Sequence, residues 1–229
     1  MILLLASEID LGRYIEVMKI SSRRSPWAER VVRSDWPSCN LSTLTASETL
    51  YVSAHGDNAE VEDKDPGQLA DLLVSKGLKE SVQLKKLKLM SCGSGITSGN
   101  NVPYCLRLAQ ELADRGGPKA VKVVGFDGAS TVCDEFGKIL AKDVSQSNYV
   151  NWHEFVSQHQ TLYAHWNTTA ENMPCTNEVE FKKNAETLWS YKAIQEAFGW
   201  LYANNKTYTK GSAEGKTFAA SNKPEFWKK

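Results

Sequence analysis

The sequence lacks any hydrophobic run long enough to cross a bilayer. No apolar stretch approaches the roughly 20 residues that a membrane-spanning helix requires. The apolar start at residues 2–5 is soon followed by Glu8 and Asp10, so it is too short for the hydrophobic region of a secretory leader. We therefore expect a soluble protein without a Sec signal.

The sequence also lacks an excess of charge of either sign. Lys and Arg together number 27, and so do Asp and Glu. This balance gives no support for a global basic field, so neither nucleic acid nor acidic lipid is expected as a partner. A hydrophobic share of 41% with seven tryptophans argues against intrinsic disorder. Nothing in the sequence indicates an oligomeric state.

The cysteines lack the pairing typical of a metal site or a disulfide framework. There are five of them, and no two form a CxxC motif: Cys39, Cys92, Cys105, Cys133 and Cys175. The missing motif argues against a zinc site of the usual kind, and we expect no metal. The odd number argues against a disulfide framework, so free thiols in a reducing compartment such as the cytosol are expected. Most should be small buried apolar side chains.

Repeats, linkers and low-complexity segments are absent as well, which predicts one domain over residues 1–229. Its core is expected at about residues 14–145, followed by C-terminal helices and a hairpin flap at about 146–229. Within the core, residues 14–20 alternate like a strand, and residues 23–39 indicate a loop or a short helix. Later segments indicate helices at 136–143 and 186–200 and a β-hairpin at 204–218.

The middle third of the chain has the clearest pattern. A short β-rich run, TLYVSA, ends at His55, and a helical pattern follows at residues 68–75 with Gly77 as its stop. Leu84, Leu87, Leu89 and Met90 form the next strand, residues 102–115 the next helix, and residues 120–124 a third strand closed by Gly125. Strands and helices that alternate over short connections predict an α/β fold with a mainly parallel sheet.

Two consecutive predicted strands end in residues capable of nucleophilic chemistry, His55 on one and Cys92 on the other. The carboxyl ends of parallel strands meet at one edge of a sheet, which is where such folds place reactive groups. An imidazole there can take the proton of a thiol. Gly56 would let substrate backbone approach the base, and the amides of Cys92 and Gly93 would be free to hold an oxyanion.

These residues resemble the core of caspase-fold (clan CD) cysteine peptidases. The similarity rests on LYVSAHG, GQLADLLVSKGL, KLKLMSCGSG, VPYCLRLAQELADRG and VKVVGFDG. It is strongest to the inositol-hexakisphosphate-activated cysteine protease domains of bacterial toxins and related effectors, and it covers roughly residues 49–130. The resemblance implies a caspase-like three-layer sandwich with a C-terminal β-hairpin flap. It also implies an endopeptidase in which His55 is the base and Cys92 the nucleophile, acting on a protein substrate.

The resemblance implies further groups that the sequence does not single out. An acidic residue upstream orients the histidine in many family members, and Asp10, Asp35 and Glu48 are the alternatives here. An inositol hexakisphosphate activator would need a basic pocket, for which the weak choices are Lys85, Lys86, Lys206, Lys210 and Lys216. The family's toxin domains lie within longer chains and release themselves. This short chain looks instead like a secreted effector that cuts another protein in a host cytosol.

Two other interpretations remain open. Cys92 followed by His153, His159 or His165, with Asn167 as an orienting residue, gives the order found in papain-like amidases. That reading is weaker because the papain-type cysteine usually opens a helix, whereas Cys92 follows a strand and precedes glycines. A chain that keeps the fold as a non-catalytic binding protein is the second alternative.

Overall fold

A computed structural model describes residues 1–5, 31–96, 102–126, 129–133, 139–142, 179–180, 183–184 and 217–221. Eight strands and two longer helices lie in these ranges. In chain order they are β1 (Ile2–Leu4), β2 (Val31–Arg33), β3 (Thr49–Ser53), α1 (Pro66–Ser75), β4 (Lys86–Met90), α2 (Tyr104–Asp114), β5 (Lys122–Phe126), β6 (Ala129–Cys133), β7 (Ile139–Lys142) and β8 (Thr217–Ser221).

Six of the strands form one sheet in the order β2-β1-β3-β4-β5-β8. The first five run parallel, and β8 pairs antiparallel with β5 at the edge. Strands β6 and β7 form a separate antiparallel pair. The chain is therefore an α/β protein with a mostly parallel central sheet, as the alternating pattern of the middle third predicts.

One face of the central strands β3 and β4 is apolar, as expected where helices cover a parallel sheet. Leu50 and Val52 of β3 and Leu87 and Leu89 of β4 are fully buried. The two crossovers β3-α1-β4 and β4-α2-β5 move across the sheet in the same direction. Right-handed connections then bring both helices to one face, and α1 and α2 do pack against each other.

Helix α1 begins where the sequence provides a strong start signal. Asp65 is its N-cap and accepts a hydrogen bond from the Gln68 amide at 2.8 Å, while the Gln68 side chain accepts from the Asp65 amide at 3.0 Å. This reciprocal capping box satisfies two backbone donors that the first turn leaves unpaired. Pro66 follows at the first helical position, where its missing N–H costs nothing. The helix ends just before Gly77, as predicted.

Three sequence predictions differ from the structure. Residues 31–33, inside the segment expected to be a loop or short helix, form β2 because β1 offers them a parallel partner. Residues 139–142, expected in a helix, form β7 because they pair with β6. The third strand of the middle region is Lys122–Phe126, so Gly125 lies within it and does not close it.

Other predicted elements lie outside the described residues: the strand at 14–20, the helix at 186–200 and most of the hairpin at 204–218. Residues 217 and 218, the end of that hairpin, belong to β8 and so to the central sheet. Within the described ranges, no helix combines the length and apolar character that a membrane crossing demands.

Helix α2 places two ionisable side chains in the core. Tyr104 and Cys105 are both fully buried, and the Tyr104 hydroxyl donates to the Lys64 carbonyl at 3.0 Å. Burial raises the pKa of the Tyr104 phenol, and the charge of Asp65 raises it further. Burial likewise raises the pKa of the Cys105 thiol from 9.0 to about 12. The folded core therefore holds the protons of both groups more tightly than the unfolded chain does.

The free energy of unfolding should fall as the pH rises above 9.0, where the Cys105 thiol ionises in the unfolded chain but not yet in the folded one. A raised folded pKa contributes stability that is complete below the unfolded pKa and is lost on approach to the folded value. The slope from this thiol is at most about 1.4 kcal/mol per pH unit. Urea unfolding across this range measures it, and Cys105→Ala should show a smaller fall than the parent. An identical fall in both proteins would contradict the assignment.

Candidate active site

His55 and Cys92 lie at the same edge of the sheet. Strands β3 and β4 pair in parallel register, with Val52 opposite Leu89 and Ser53 opposite Met90. His55 and Cys92 each follow the last paired residue of their strand by two positions, so the register carries them to the same level on neighbouring strands. Neighbouring strands lie about 4.8 Å apart. His55 is exposed and Cys92 is partly exposed, so both are open to a reactant.

A direct contact joins the loops that carry these two residues. A Cβ built on Gly93 would lie 3.3 Å from the Asp57 Cα, so the backbone after His55 passes close against the backbone after Cys92. Gly93 also has a φ of +62°, a conformation that disfavours residues with a side chain. Glycine at this position therefore serves both the turn after Cys92 and the approach of the neighbouring loop.

Ser94 anchors the turn that follows Cys92. Its hydroxyl accepts from the Phe126 amide at 3.2 Å and donates to the Ser91 carbonyl at 3.2 Å. Its carbonyl accepts from the Cys105 amide, the second residue of α2, at 2.9 Å. Ser94 is fully buried, so these bonds form away from water. One small polar side chain thus connects the cysteine loop to β5, and its backbone connects the loop to α2.

Gly125 provides the space for this turn. A Cβ at that position would lie 2.7 Å from the Ser94 carbonyl carbon and 2.8 Å from the Gly95 amide nitrogen. Backbone atoms do not yield as a flexible side chain does, so only glycine fits. The Gly95 amide also donates to the Phe126 carbonyl at 2.6 Å. The sequence offered only a weak signal for these supporting roles, namely the run of small residues in SCGSG and a glycine near a strand end.

The loop after His55 is a short hairpin. Gly56 bridges to Val61, and the Asp57 side chain accepts from the amides of Ala59 and Glu60 at 2.6 and 3.0 Å. Arg107 of α2 donates to the Asn58 carbonyl. Hydrogen bonds within residues 56–61 and one from Arg107 of α2 therefore hold the chain that leaves His55 in place.

The two backbone glycines expected at the site have different surroundings. A Cβ on Gly56 would meet the Glu60 carbonyl oxygen at 2.8 Å, so Gly56 is needed for the hairpin to close. Its approach to a substrate backbone stays a prediction. Among the described residues, nothing accepts a hydrogen bond from the Gly93 amide, which is compatible with an oxyanion donor. The Cys92 amide in that role stays a prediction.

The three carboxylates considered as His55 orienters are unequally placed. Asp35 accepts two hydrogen bonds from the Arg33 guanidinium, at 2.7 and 3.0 Å, beyond β2, two strands from β3. Glu48 precedes β3 and accepts from the Thr45 amide at 2.8 Å. It lies seven residues before His55, about 20 Å along an extended chain. Asp10 lies outside the described residues.

The described lysines considered for the activator pocket lie at the other end of β4. Lys86 is paired with Lys122, each the first residue of its strand. Lys85 is exposed and Lys86 half-buried, whereas Lys88 is only 6% exposed, with its Nζ 5.1 Å from the Phe126 ring centre. Lys206, Lys210 and Lys216 lie outside the described residues.

The papain-like alternative cannot be compared in the same way, since His153, His159, His165 and Asn167 also lie outside the described residues. In the part of the chain that the structure describes, no cluster of three or more His, Cys, Asp or Glu side chains could hold a metal ion.

The described cysteines differ in environment. Cys39 and Cys105 are buried, and Cys92 is partly exposed. Burial raises the pKa of the Cys39 thiol; the positive charge of Lys76 opposes this and the negative charge of Asp35 adds to it. Together with the raised pKa of Cys105, this keeps both of these thiols protonated and poorly nucleophilic near neutral pH.

Replacing Ser94 by Ala should lower the free energy of unfolding by about 1–3 kcal/mol, because the buried Phe126 amide loses its acceptor. Ser91→Ala is the matched control. Ser91 is fully buried too, but its hydroxyl has no hydrogen-bond partner among the described residues, so its removal should be neutral or slightly stabilising. Chemical denaturation of the two variants measures the difference. Equal losses would show that Ser94 does not anchor the loop.

Comparisons with known proteins yield no relative: no protein-family model, no curated protein and no solved structure matches this chain. The geometry of the His55 and Cys92 loops is therefore the basis for inferring what the chain does.

Proposed function

We propose that this chain is a cysteine endopeptidase that uses His55 and Cys92 as a catalytic dyad. The observation that carries the proposal is the parallel register of β3 and β4, which brings the two residues to one level at the carboxyl edge of the sheet. The contact between the Asp57 and Gly93 backbones supports it independently. The caspase-like sandwich with its hairpin flap belongs to the same proposal, and the mostly parallel sheet is compatible with it.

The chemistry follows from these two side chains. His55 takes the proton of the Cys92 thiol, and the thiolate attacks the carbonyl carbon of a peptide bond. The negative oxygen that forms is held by amide donors such as that of Gly93. The protonated His55 then gives its proton to the leaving amine as the C–N bond breaks. Water, deprotonated by His55, attacks the thioester and releases the acid, which restores the thiol.

Cys92→Ala should lower kcat/KM by about 10⁴-fold or more, because no other group forms the thioester. His55→Ala should leave a folded chain of similarly low activity. A peptide library prepared from a cell lysate, with new amino termini read by mass spectrometry, supplies the assay. Cys39→Ala is the control, since that thiol is buried and remote in sequence from the edge. If the Cys92→Ala variant cleaved the library peptides at the parent rate, the proposal would be wrong.

Alkylation distinguishes the peptidase from a non-catalytic binding protein with the same fold. Iodoacetamide should modify Cys92 near neutral pH faster than any other cysteine, and His55→Ala should slow that reaction. Partial exposure alone would also favour Cys92 over Cys39 and Cys105, so the His55 variant is the decisive comparison. If the substitution leaves the Cys92 rate unchanged, the thiol is merely accessible and the scaffold interpretation stands.

We further propose that a polyphosphate such as inositol hexakisphosphate activates the chain by binding at the amino ends of β4 and β5. Lys86 and Lys122 are paired there. Side chains two apart along a strand share a face, so Lys86, Lys88 and Met90 lie on one face of β4. Cys92 is the next residue in this series, two positions after Met90. A bound polyanion would therefore act along the strand that ends at the nucleophile.

Inositol hexakisphosphate at a hundred times its dissociation constant should stabilise the chain by about 2.7 kcal/mol. For a domain of this size that corresponds to a rise in Tm of roughly 5–10 °C. Thermal melting with and without the ligand measures the shift, which Lys86→Ala should reduce and Lys79→Ala, at an exposed loop position, should not. Absence of a shift at saturating ligand would remove the activator and leave the peptidase proposal intact.

A further inference from the structure

Glu62 holds the backbone of His55 from both sides. Its carboxylate Oε2 accepts from the His55 amide at 3.1 Å, and its own amide donates to the His55 carbonyl at 2.9 Å. The two residues are seven apart in sequence, so these bonds close the hairpin at the level of the histidine. Each of the two polar backbone groups of His55 thus has Glu62 as a partner.

The conformation of Glu62 makes this arrangement costly to build. Its φ is +50°, and that of Asp63 is +55°, a region that non-glycine residues seldom occupy. The turn nevertheless places an acidic side chain, half-buried, against the His55 amide. Strain of this kind persists only where the surrounding structure holds it, and here the Gly56–Val61 bridge and the bonds to His55 do so.

The pair of hydrogen bonds between Glu62 and the His55 backbone, called the clamp below, is also connected to the rest of the site. Asp57, inside the same hairpin, touches the Gly93 backbone, while the Val61 and Lys64 backbones bond to each other on the far side of Glu62. The Lys64 carbonyl in turn accepts from the Tyr104 hydroxyl of α2. His55 is therefore attached through Glu62 to a hairpin that contacts the cysteine loop and the buried residue Tyr104 of α2.

We propose that Glu62 is a positioning residue, which fixes the His55 backbone and thereby sets the reach of the imidazole toward Cys92. The inference rests on the proposed function for its catalytic meaning. The carboxylate acts as a hydrogen-bond acceptor in this role, so the uncharged side chain of glutamine, which has the same length, should accept the same bond. A misplacement of even 1 Å in such a group can cost about 100-fold in rate.

Three substitutions test the clamp. Glu62→Ala removes the acceptor, Glu62→Gln keeps an acceptor oxygen, and Asp63→Ala is the control because Asp63 shares the positive φ and is exposed. Two measurements apply to each: hydrogen exchange of the His55 amide by NMR, and the rate of Cys92 alkylation by iodoacetamide. The urea midpoint of each variant separates a local effect from a loss of global stability.

We expect Glu62→Ala to speed exchange of the His55 amide about tenfold and to slow Cys92 alkylation by a similar factor, with an unchanged urea midpoint. Glu62→Gln and Asp63→Ala should match the parent in both measurements. Unchanged His55 exchange in Glu62→Ala overturns the clamp, and a Glu62→Gln variant that behaves like Glu62→Ala overturns the acceptor role. If His55→Ala alone does not slow alkylation of Cys92, the proposed peptidase fails. Hydrogen exchange of the His55 amide does not depend on catalysis, so it still tests the role of Glu62 in that case.

Discussion

The parallel hydrogen bonding between β3 and β4 is the constraint on which the rest of this molecule depends. Five residue pairs fix the register of the two strands. That register also sets the relative positions of the residues that follow the strands, including His55 and Cys92. A slip of one residue would turn every side chain to the opposite face. Leu50 and Val52 lie on one face of β3, with Leu87 and Leu89 beside them on β4. A slip would bring Lys86 and Lys88 of β4 to that buried face, which makes it costly. The relative placement of His55 and Cys92 is therefore a consequence of strand pairing deep in the core.

Side-chain hydrogen bonds to the backbone and close backbone contacts carry that alignment out to the edge. The turn after Cys92 is held by Ser94 and admitted by Gly125, and the hairpin after His55 is closed at Gly56 and clamped by Glu62. The two loops then meet at Asp57 and Gly93. Small residues occur here because main chains approach closely, and the strained residues occur where one loop must turn back on itself.

The sequence predicted the alternating middle region well because periodicity and helix signals act locally there. The helices at residues 66–75 and 104–114 and the strands ending before His55 and Cys92 all follow from local pattern. It did not predict β1 or β2, which are three residues long and pair with strands distant in sequence. It also did not predict β7, a four-residue strand that forms as the partner of the nearby β6. The placement of His55 and Cys92 after neighbouring strands could be predicted from the order of elements, whereas the contacts of Ser94, Gly125 and Glu62 could not, since they depend on residues of other segments.

The pairing of β5 with β8 has a consequence for how the chain matures. One side of β5 pairs with β4, which is near in sequence, but the other side pairs with residues 217–221, which are synthesised about 90 residues later. During synthesis on the ribosome, the strands that carry the site emerge long before the segment that seals the sheet. For that interval β5 presents an open edge of unpaired amides and carbonyls, a surface prone to intermolecular association. The order of the strands thus makes the last step of folding, the arrival of β8, the one that removes this exposed edge.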